Sequence, residues 1–453
     1  MTGMESCSRR RWGLWGAVGL VSLLMGGPAA WAAGQTAVAA SALPVDTGDT
    51  AWILISAALV MLMTPGLAFF YGGLVRRKNM LSILMQCFMI LCLLSVLWVA
   101  VGYSLAFGPD VHGFIGGLQW MGLRGVGLDP NPTYAKTIPH EAFMIFQMMF
   151  AVITPGLIIG AFAERMRFRS FCIFSLLWAV LVYAPVAHWV WGDGGFLKVR
   201  GVVDFAGGIV VHINAGLAAL AAALILGKRR GFPQTIHPPH SLPFAVLGAA
   251  LLWFGWFGFN AGSALGAGKL AVNAFVVTHT AGAMAGLTWA LLEWVLIRRP
   301  TMLGMITGSV AGLAAITPAA GYVDVSGALC IGAGAGAICY LAVSFVKAKL
   351  KYDDSLDAFG VHGIGGAWGT LAVGLWATKT VNPDGPNGLF HGGASQLGIQ
   401  AMAVGITLAY SFVVTIILLK LVSVFSRLRV EDQDERIGLD LTQHREVAYT
   451  MLD

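Results

Sequence analysis

Charge is what this chain has least of. Of its 453 residues, 28 are Lys or Arg and 22 are Asp or Glu, 11% in all. Soluble chains carry about 25%. The hydrophobic share is 57% and the mean hydropathy is +0.76. So little charge excludes a soluble globular enzyme, a disordered protein and a nucleic-acid-binding domain. Cysteine is scarce as well. Cys7 falls in the leader, and Cys87, Cys92, Cys172, Cys330 and Cys339 fall in apolar stretches. None has a CxxC or metal-ligand spacing, so they read as small packing residues.

The charges that exist are confined to short intervals. Eleven windows free of Asp, Glu, Lys and Arg are long enough to span a bilayer: 52–75, 79–109, 142–163, 170–192, 205–227, 241–268, 270–292, 300–323, 325–346, 358–378 and 385–419. About 20 apolar residues are needed for a crossing helix, whereas barrel strands need about 10. The fold class is therefore an all-α polytopic membrane protein with eleven transmembrane helices and no soluble insert.

Residues 1–33 are read separately. Arg9, Arg10 and Arg11 precede an apolar run from Trp12 to Gly26, then Pro28 and the small residues Ala29–Ala33. This pattern is that of a cleavable signal peptide; the alternative is a twelfth span kept as an anchor. With the mature N-terminus outside, the inner connections carry 14 Lys or Arg and the outer ones 6. The inner set is Arg76, Arg77, Lys78, Arg165, Arg167, Arg169, Lys228, Arg229, Arg230, Arg298, Arg299, Lys347, Lys349 and Lys351. That asymmetry follows the positive-inside rule and puts the C-terminus in the cytoplasm. The domain reading is signal peptide 1–33, an eleven-span domain 34–426 and a cytoplasmic tail 427–453.

Glycine is plentiful, at 59 copies, and lets helices in a membrane approach closely. Ten spans can form two five-span halves of opposite orientation, with a site at their interface near the midplane. The fifth span, GGIVVHINAG (207–216), and the tenth, GVHGIGGAWG (360–369), each set one histidine among glycines. His212 and His362 then fall roughly 6–9 Å from the midplane, on opposite sides of it. Two facing imidazoles could relay a proton. Buried histidines bonded to backbone carbonyls, or a haem or metal pair, are the other readings. Asp204 opens the fifth span as an N-cap or as a carboxylate at an outer mouth. The sixth span carries WFGWFGFNAGSA (253–264). Its aromatic faces attract a desolvated cation and its serine hydroxyl accepts a hydrogen bond. Phe146, Phe150 and Trp191 could complete such a site.

FQMMFAVITPGLIIGAFAERMRF (146–168), DFAGGIVVHINAG (204–216), GWFGFNAGS (255–263) and DDSLDAFGVHGIGG (353–366) resemble signature segments of the ammonium transporter family, the Amt/MEP/Rh superfamily, in its bacterial Amt branch. The resemblance runs from Asp49 to the tail. It implies the ammonium transporter fold, two inverted five-helix repeats plus one extra helix, assembled as a homotrimer in the inner membrane of a bacterial cell. It implies an external ammonium site at Phe146, Trp191 and Ser263, and a gate at Phe150 and Phe259. His212 and His362 would be the pore pair, with Asp204 and Trp256 in support. The loop between Trp191 and Asp204, with Asp193, Lys198 and Arg200, is slightly longer than the family pattern.

The resulting expectation is a transporter for nitrogen uptake, not an enzyme, and no cofactor is expected. Ammonium is recruited outside, deprotonated, passed as ammonia along the histidines and reprotonated inside, with net electrogenic movement. The tail holds 11 charged residues; it is either simply solvated or, through GLDLTQHREVAY (438–449), the segment that binds a cytoplasmic PII signalling protein. The rival readings are an ammonium sensor of the same fold, which a fused signalling domain would favour over a tail of about 27 residues, a haem-bearing redox protein and a carbon dioxide channel. No nucleic-acid partner is expected.

Overall fold

The computed structural model describes residues 43–235 and 237–449. The expected signal peptide lies outside the described residues.

Among the described residues, eleven helical rods make up the bundle. They are α1 Thr47–Leu74, α2 Arg77–Phe107, α3 His140–Phe162, α4 168–191, α5 Gly208–Leu226, α6 Leu242–Gly262, α7 Lys269–Ile297, α8 Met302–Ile316, α9 Val325–Leu350, α10 359–376 and α11 Ala394–Phe425. Nine of them, among the described residues, are long and apolar enough to cross a membrane. α8 and α10 are shorter. α8 gives way at Ile316 to a run of turns that begins Thr317-Pro318, where the proline cannot continue the helix. Each rod overlaps one uncharged window of the sequence, with its charged residues towards the ends. The lipid-facing sides carry exposed apolar residues such as Val96, Leu224, Leu291 and Val295, and α3, set in the middle, is buried nearly throughout.

α1–α5 and α6–α10 are the two halves, and α11 is the extra helix. Their opposite orientation is visible in the packing. α1 runs antiparallel to α6, with Gly258 against Ser56, Gly255 against Leu59 and Gly248 against Phe70. α5 crosses α10 in the same sense, with Gly216 against Gly363 and Gly366 against His212. A Cβ on Gly216 would fall 2.2 Å from the Gly363 nitrogen, so these two chains meet backbone to backbone.

Between α2 and α3 lies a long connection with two small antiparallel hairpins, Asp110–Val111 with Ile115–Gly116 and Pro130–Asn131 with Ala135–Pro139. At the opposite end of the bundle the tail folds back. The reading of a merely solvated tail does not hold. Arg167 N donates to Leu428 O at 2.8 Å and Val430 N to Arg165 O at 3.0 Å. The short helix α12, Asp432–Ile437, buries Glu435, which accepts from Arg230 N at 2.8 Å and Arg429 Nη2 at 2.7 Å. Further on, Leu439 N donates to Asn79 Oδ1 at 2.8 Å, and Asp440 Oδ1 accepts from Ser82 N at 2.8 Å. Lys78 Nζ donates to the Arg436 carbonyl.

Beneath the tail sits a buried ion cluster that joins both halves. Glu164 accepts from Arg76 Nε and Asn79 Nδ2, each at 2.9 Å, while Arg229 grips Asp353 at 2.8 Å and reaches Glu164 at 3.5 Å. Arg165 is fully enclosed, donating to the carbonyls of Ala161, Asp353 and Gly227 and to Ser355 Oγ. Removing charges from water is costly unless each finds partners, and here each does. Burial pushes the Glu164 carboxyl up, but Arg76 and Arg229 outweigh it and leave it below its ordinary value. Asp353 balances the same way, lowered by Arg229 and Arg165 against burial.

Candidate functional site: a histidine-lined apolar passage

The site begins at the end of the bundle opposite the tail. α3 supplies Phe146 and, one turn on, Phe150; their rings lie 5.0 Å apart. The end of α4 supplies Trp191, edge-on to Phe150 at 5.9 Å and 90°. The Trp191 indole N–H donates to the Asp204 backbone oxygen at 2.8 Å, so that bond fixes the ring. Ser263 closes α6, and its hydroxyl donates to the Phe259 carbonyl at 2.9 Å. Its lone pairs remain able to accept from an N–H donor. Trp191 and Ser263 are half-buried, whereas Phe146 is fully buried.

One layer deeper, Phe150 and Phe259 meet at 4.3 Å between ring centres. Both are essentially without exposure. They close the way between the outer aromatic group and what lies beneath.

Below them His212 lies nearly parallel to His362, with 5.2 Å between ring centres and 13° between planes. His212 also lies flat against Trp256 at 5.5 Å and Phe259 at 6.0 Å. Both histidines sit on π-helical turns, 208–213 and 359–363, at the start of α5 and α10. Single π turns occur often at functional sites. Among the described residues, His212 Nδ1 and Nε2 and His362 Nδ1 have no protein hydrogen-bond partner. The alternative of histidines bonded to backbone carbonyls therefore finds no support at these three nitrogens. The surrounding wall is apolar: Met63, Leu67, Ile153, Leu157, Val211 and Leu252. The free space is about 10 Å³, room for about one water-sized molecule. His362 also opens into a wider vestibule of about 290 Å³ on the tail side, lined in part by Tyr71, His237, Glu293 and Asp357.

Asp204 is a cap and not a free carboxylate. Oδ1 accepts from Gly207 N at 2.8 Å and Gly208 N at 2.7 Å; Oδ2 accepts from Ile209 N at 2.7 Å and Val210 N at 3.2 Å. Four donors at a helix start meet one carboxylate. Gly207 adopts φ +116°, a conformation open to glycine, and this lets the chain wrap the carboxylate. Asp204 thus holds both the His212 turn and, through its carbonyl, Trp191. Trp256 is held by Thr317, whose Oγ1 accepts the indole N–H at 2.9 Å while donating to Leu313 O at 2.8 Å.

All nine residues singled out from the sequence occupy this one passage or brace it. Sequence reasoning missed Thr317, the Glu164–Arg229–Asp353 cluster and the vestibule. Glu293 lines that vestibule and accepts from Thr301 N at 2.6 Å. The lone carboxylate next to an apolar window was the available signal. The loop after Trp191 forms one helical turn, Phe196–Val199, and Lys198 Nζ donates back to Trp191 O at 3.2 Å. Among the described residues, no three His, Cys, Asp or Glu side chains gather as a metal-binding group.

A profile of the Ammonium Transporter Family matches residues 51–449. The chain belongs to this family. It is 53% identical over 405 residues to an ammonium transporter of Bacillus subtilis, covering 89% of this chain and 99% of that one. With the ammonium transporter Amt1 of Archaeoglobus fulgidus it shares 52% over 407 residues, 90% and 100% of the two chains. Among solved structures it resembles Saccharomyces cerevisiae Mep2, at a TM-score of 0.80 and 37% identity over 85% of this chain and 88% of that one. It also resembles a sensor Amt protein, at 0.81 and 31% over 88% and 98%.

Proposed function

We propose that the protein takes up ammonium electrogenically, across the inner membrane of a bacterial cell, with the tail in the cytoplasm. Phe146, Trp191 and Ser263 recruit the ion at the outer end. Aromatic faces attract a desolvated cation by about 2 kcal/mol or more, and the serine oxygen accepts an N–H. Potassium has a similar size and charge but no proton to release. The bare ion cannot enter the apolar passage without the cost of stripping its water. Ammonia can, once Phe150 and Phe259 part. His212 and His362 carry the proton separately, and ammonium re-forms at the cytoplasmic end. Asp204 and Trp256 act by holding His212, Trp191 and the passage wall in place.

The observation that carries this reading is the histidine pair: two neighbouring imidazoles with three unpartnered nitrogens inside an otherwise apolar constriction. Imidazole takes and gives protons at either nitrogen. We further propose assembly as a homotrimer and binding of a cytoplasmic PII protein against the tail-side face, where the docked tail meets the loops. The family resemblance supports these two points, and the positive-inside count supports the orientation.

The deciding measurement is current across liposomes reconstituted with the protein and given ammonium or potassium pulses. Ammonium-dependent current with none from potassium is expected. The reading fails if neither ammonium current nor ammonia flux appears. Saturable ammonium binding without any flux would instead favour a sensor, a reading kept open by the likeness to a sensor Amt structure.

A further inference from the structure

α11 supplies none of the residues that line the constriction around the histidines, yet it grips the chain just ahead of Asp204. Residues 202–204 run uncoiled between the helical turn Phe196–Val199 and the π turn 208–213. Backbone groups in such a stretch have no helical or strand neighbour and must find other partners. Gln400, fully buried on α11, provides two. Its Oε1 accepts from Val203 N at 3.1 Å and its Nε2 donates to Val203 O at 2.7 Å. The side-chain amide thus exchanges both bonds with one residue, as the facing residue of an antiparallel strand would.

The rest of that amide is occupied as well. Gln396 Nε2 donates to Gln400 Oε1 at 3.3 Å, and Gln400 Nε2 also reaches Thr370 O on α10 at 3.3 Å. Gln396 donates in addition to Gly201 O at 3.1 Å. Two donors and two acceptor positions are the whole capacity of a primary amide. Only one orientation of Gln400 fits, because a flipped amide would set N–H against N–H and oxygen against oxygen. On the far side of Asp204, Phe205 N donates to Pro318 O at 3.1 Å. Asp204 is therefore held through both chain neighbours, and its own carbonyl then receives the Trp191 indole N–H.

Resting on the transport reading above, we propose that Gln400 is a positioning residue for ammonium recruitment, acting through Val203 and the Asp204 carbonyl on the seat of Trp191. The peptide whose oxygen Gln400 holds adjoins the peptide whose oxygen holds the indole. Gln400 does not meet the ion. The two ends of Asp204 respond differently to its loss. The carboxylate stays with the four N–H groups that it caps, so the His212 turn keeps its cap. The carbonyl turns with Val203, and the Trp191 ring turns with it relative to Phe150. The effect therefore falls on the ammonium concentration that half-saturates transport and spares the maximal rate.

The test uses the full-length protein in liposomes, with current recorded against ammonium concentration. Gln400→Met keeps the length of the side chain but strands the Val203 N–H and carbonyl. Its half-saturating concentration should rise about tenfold while maximal current stays near wild type. Thr415→Val, also on α11, removes the acceptor of the Trp178 indole N–H away from this segment. It should lower the unfolding temperature as Gln400→Met does and leave half-saturation alone. Trp191→Phe has no indole N–H to seat, so adding Gln400→Met to it should shift half-saturation little further. Wild-type half-saturation in Gln400→Met, an equal rise in Thr415→Val, or an undiminished shift in the Trp191→Phe background overturns the proposal and leaves transport standing. Absence of wild-type current sinks the transport reading itself. Should Gln400→Met fail to assemble, Gln400→Asn decides. Its amide falls one methylene short of Val203, so a raised half-saturation supports the proposal and an unmoved one overturns it.

Discussion

At the residue scale, the polar groups that brace the passage each have a partner, which leaves the histidine nitrogens as its unassigned ones. Thr317 illustrates this. Its hydroxyl holds the Trp256 indole, and Trp256 forms one wall for His212. Thr317→Val keeps the shape but strands a buried N–H, which costs about 1–3 kcal/mol. We expect a lower unfolding temperature and a reduced ammonium current, measured on the same purified variant. Asp204→Asn goes further. A single amide oxygen cannot serve four N–H donors, so at least two lose their partner, at about 1–3 kcal/mol each. Weaker ammonium binding and altered Trp191 fluorescence are the expected signs. His212→Ala and His362→Ala should each abolish the electrogenic component or its selectivity over potassium. Unchanged rate and selectivity in both would rule out a proton relay. The histidines were legible because an ionisable group within an uncharged window stands out. Thr317 was not, because a threonine near a proline reads first as an ordinary turn.

At the element scale, the crossing of α5 and α10 places the histidines beside each other. The glycines around them had been visible as a pattern, and the structure gives their reason. Gly216 abuts the Gly363 backbone, so the helices lie closer than any side chain allows. Gly216→Ala must push them apart. Overpacking of this kind costs about 1–3 kcal/mol, and separation of the imidazoles should reduce current more than it reduces stability. The eleven rods were legible from charge-free windows alone, since a lipid environment tolerates little else. The π turns that carry the histidines were not, because nothing in a glycine-rich stretch distinguishes one extra residue per turn from a regular helix. Asp204, which caps the His212 turn, lies at a window edge, where a charge is expected for reasons of topology, and so its role was hidden.

At the scale of the whole molecule, the tail packs over the loops of the first half and the α5–α6 connection, above the ion cluster. Glu435→Ala removes the acceptor shared by Arg230 N and Arg429, a local loss of about 1–3 kcal/mol. Hydrogen exchange across 431–449 should accelerate while the bundle stays protected. Acid should do the same. Glu164 and Asp353 have carboxyls below their ordinary values in the folded protein. Their contribution is complete above the unfolded value of about 4 and is lost as pH falls through the lowered one. Tail protection should therefore survive at pH 6 and fade only below about pH 4. In the sequence Arg76, Arg165 and Arg229 appeared as inner-side charges; their pairing with Glu164 and Asp353 depends on loops far apart in the chain.

The contact between Phe150 and Phe259 has a physiological corollary. Two rings 4.3 Å apart, above a chamber with room for about one small molecule, interrupt any continuous column of liquid. Vesicles filled with this protein should shrink under a sucrose gradient no faster than bare lipid. The cell could then hold the protein at high density without losing turgor control.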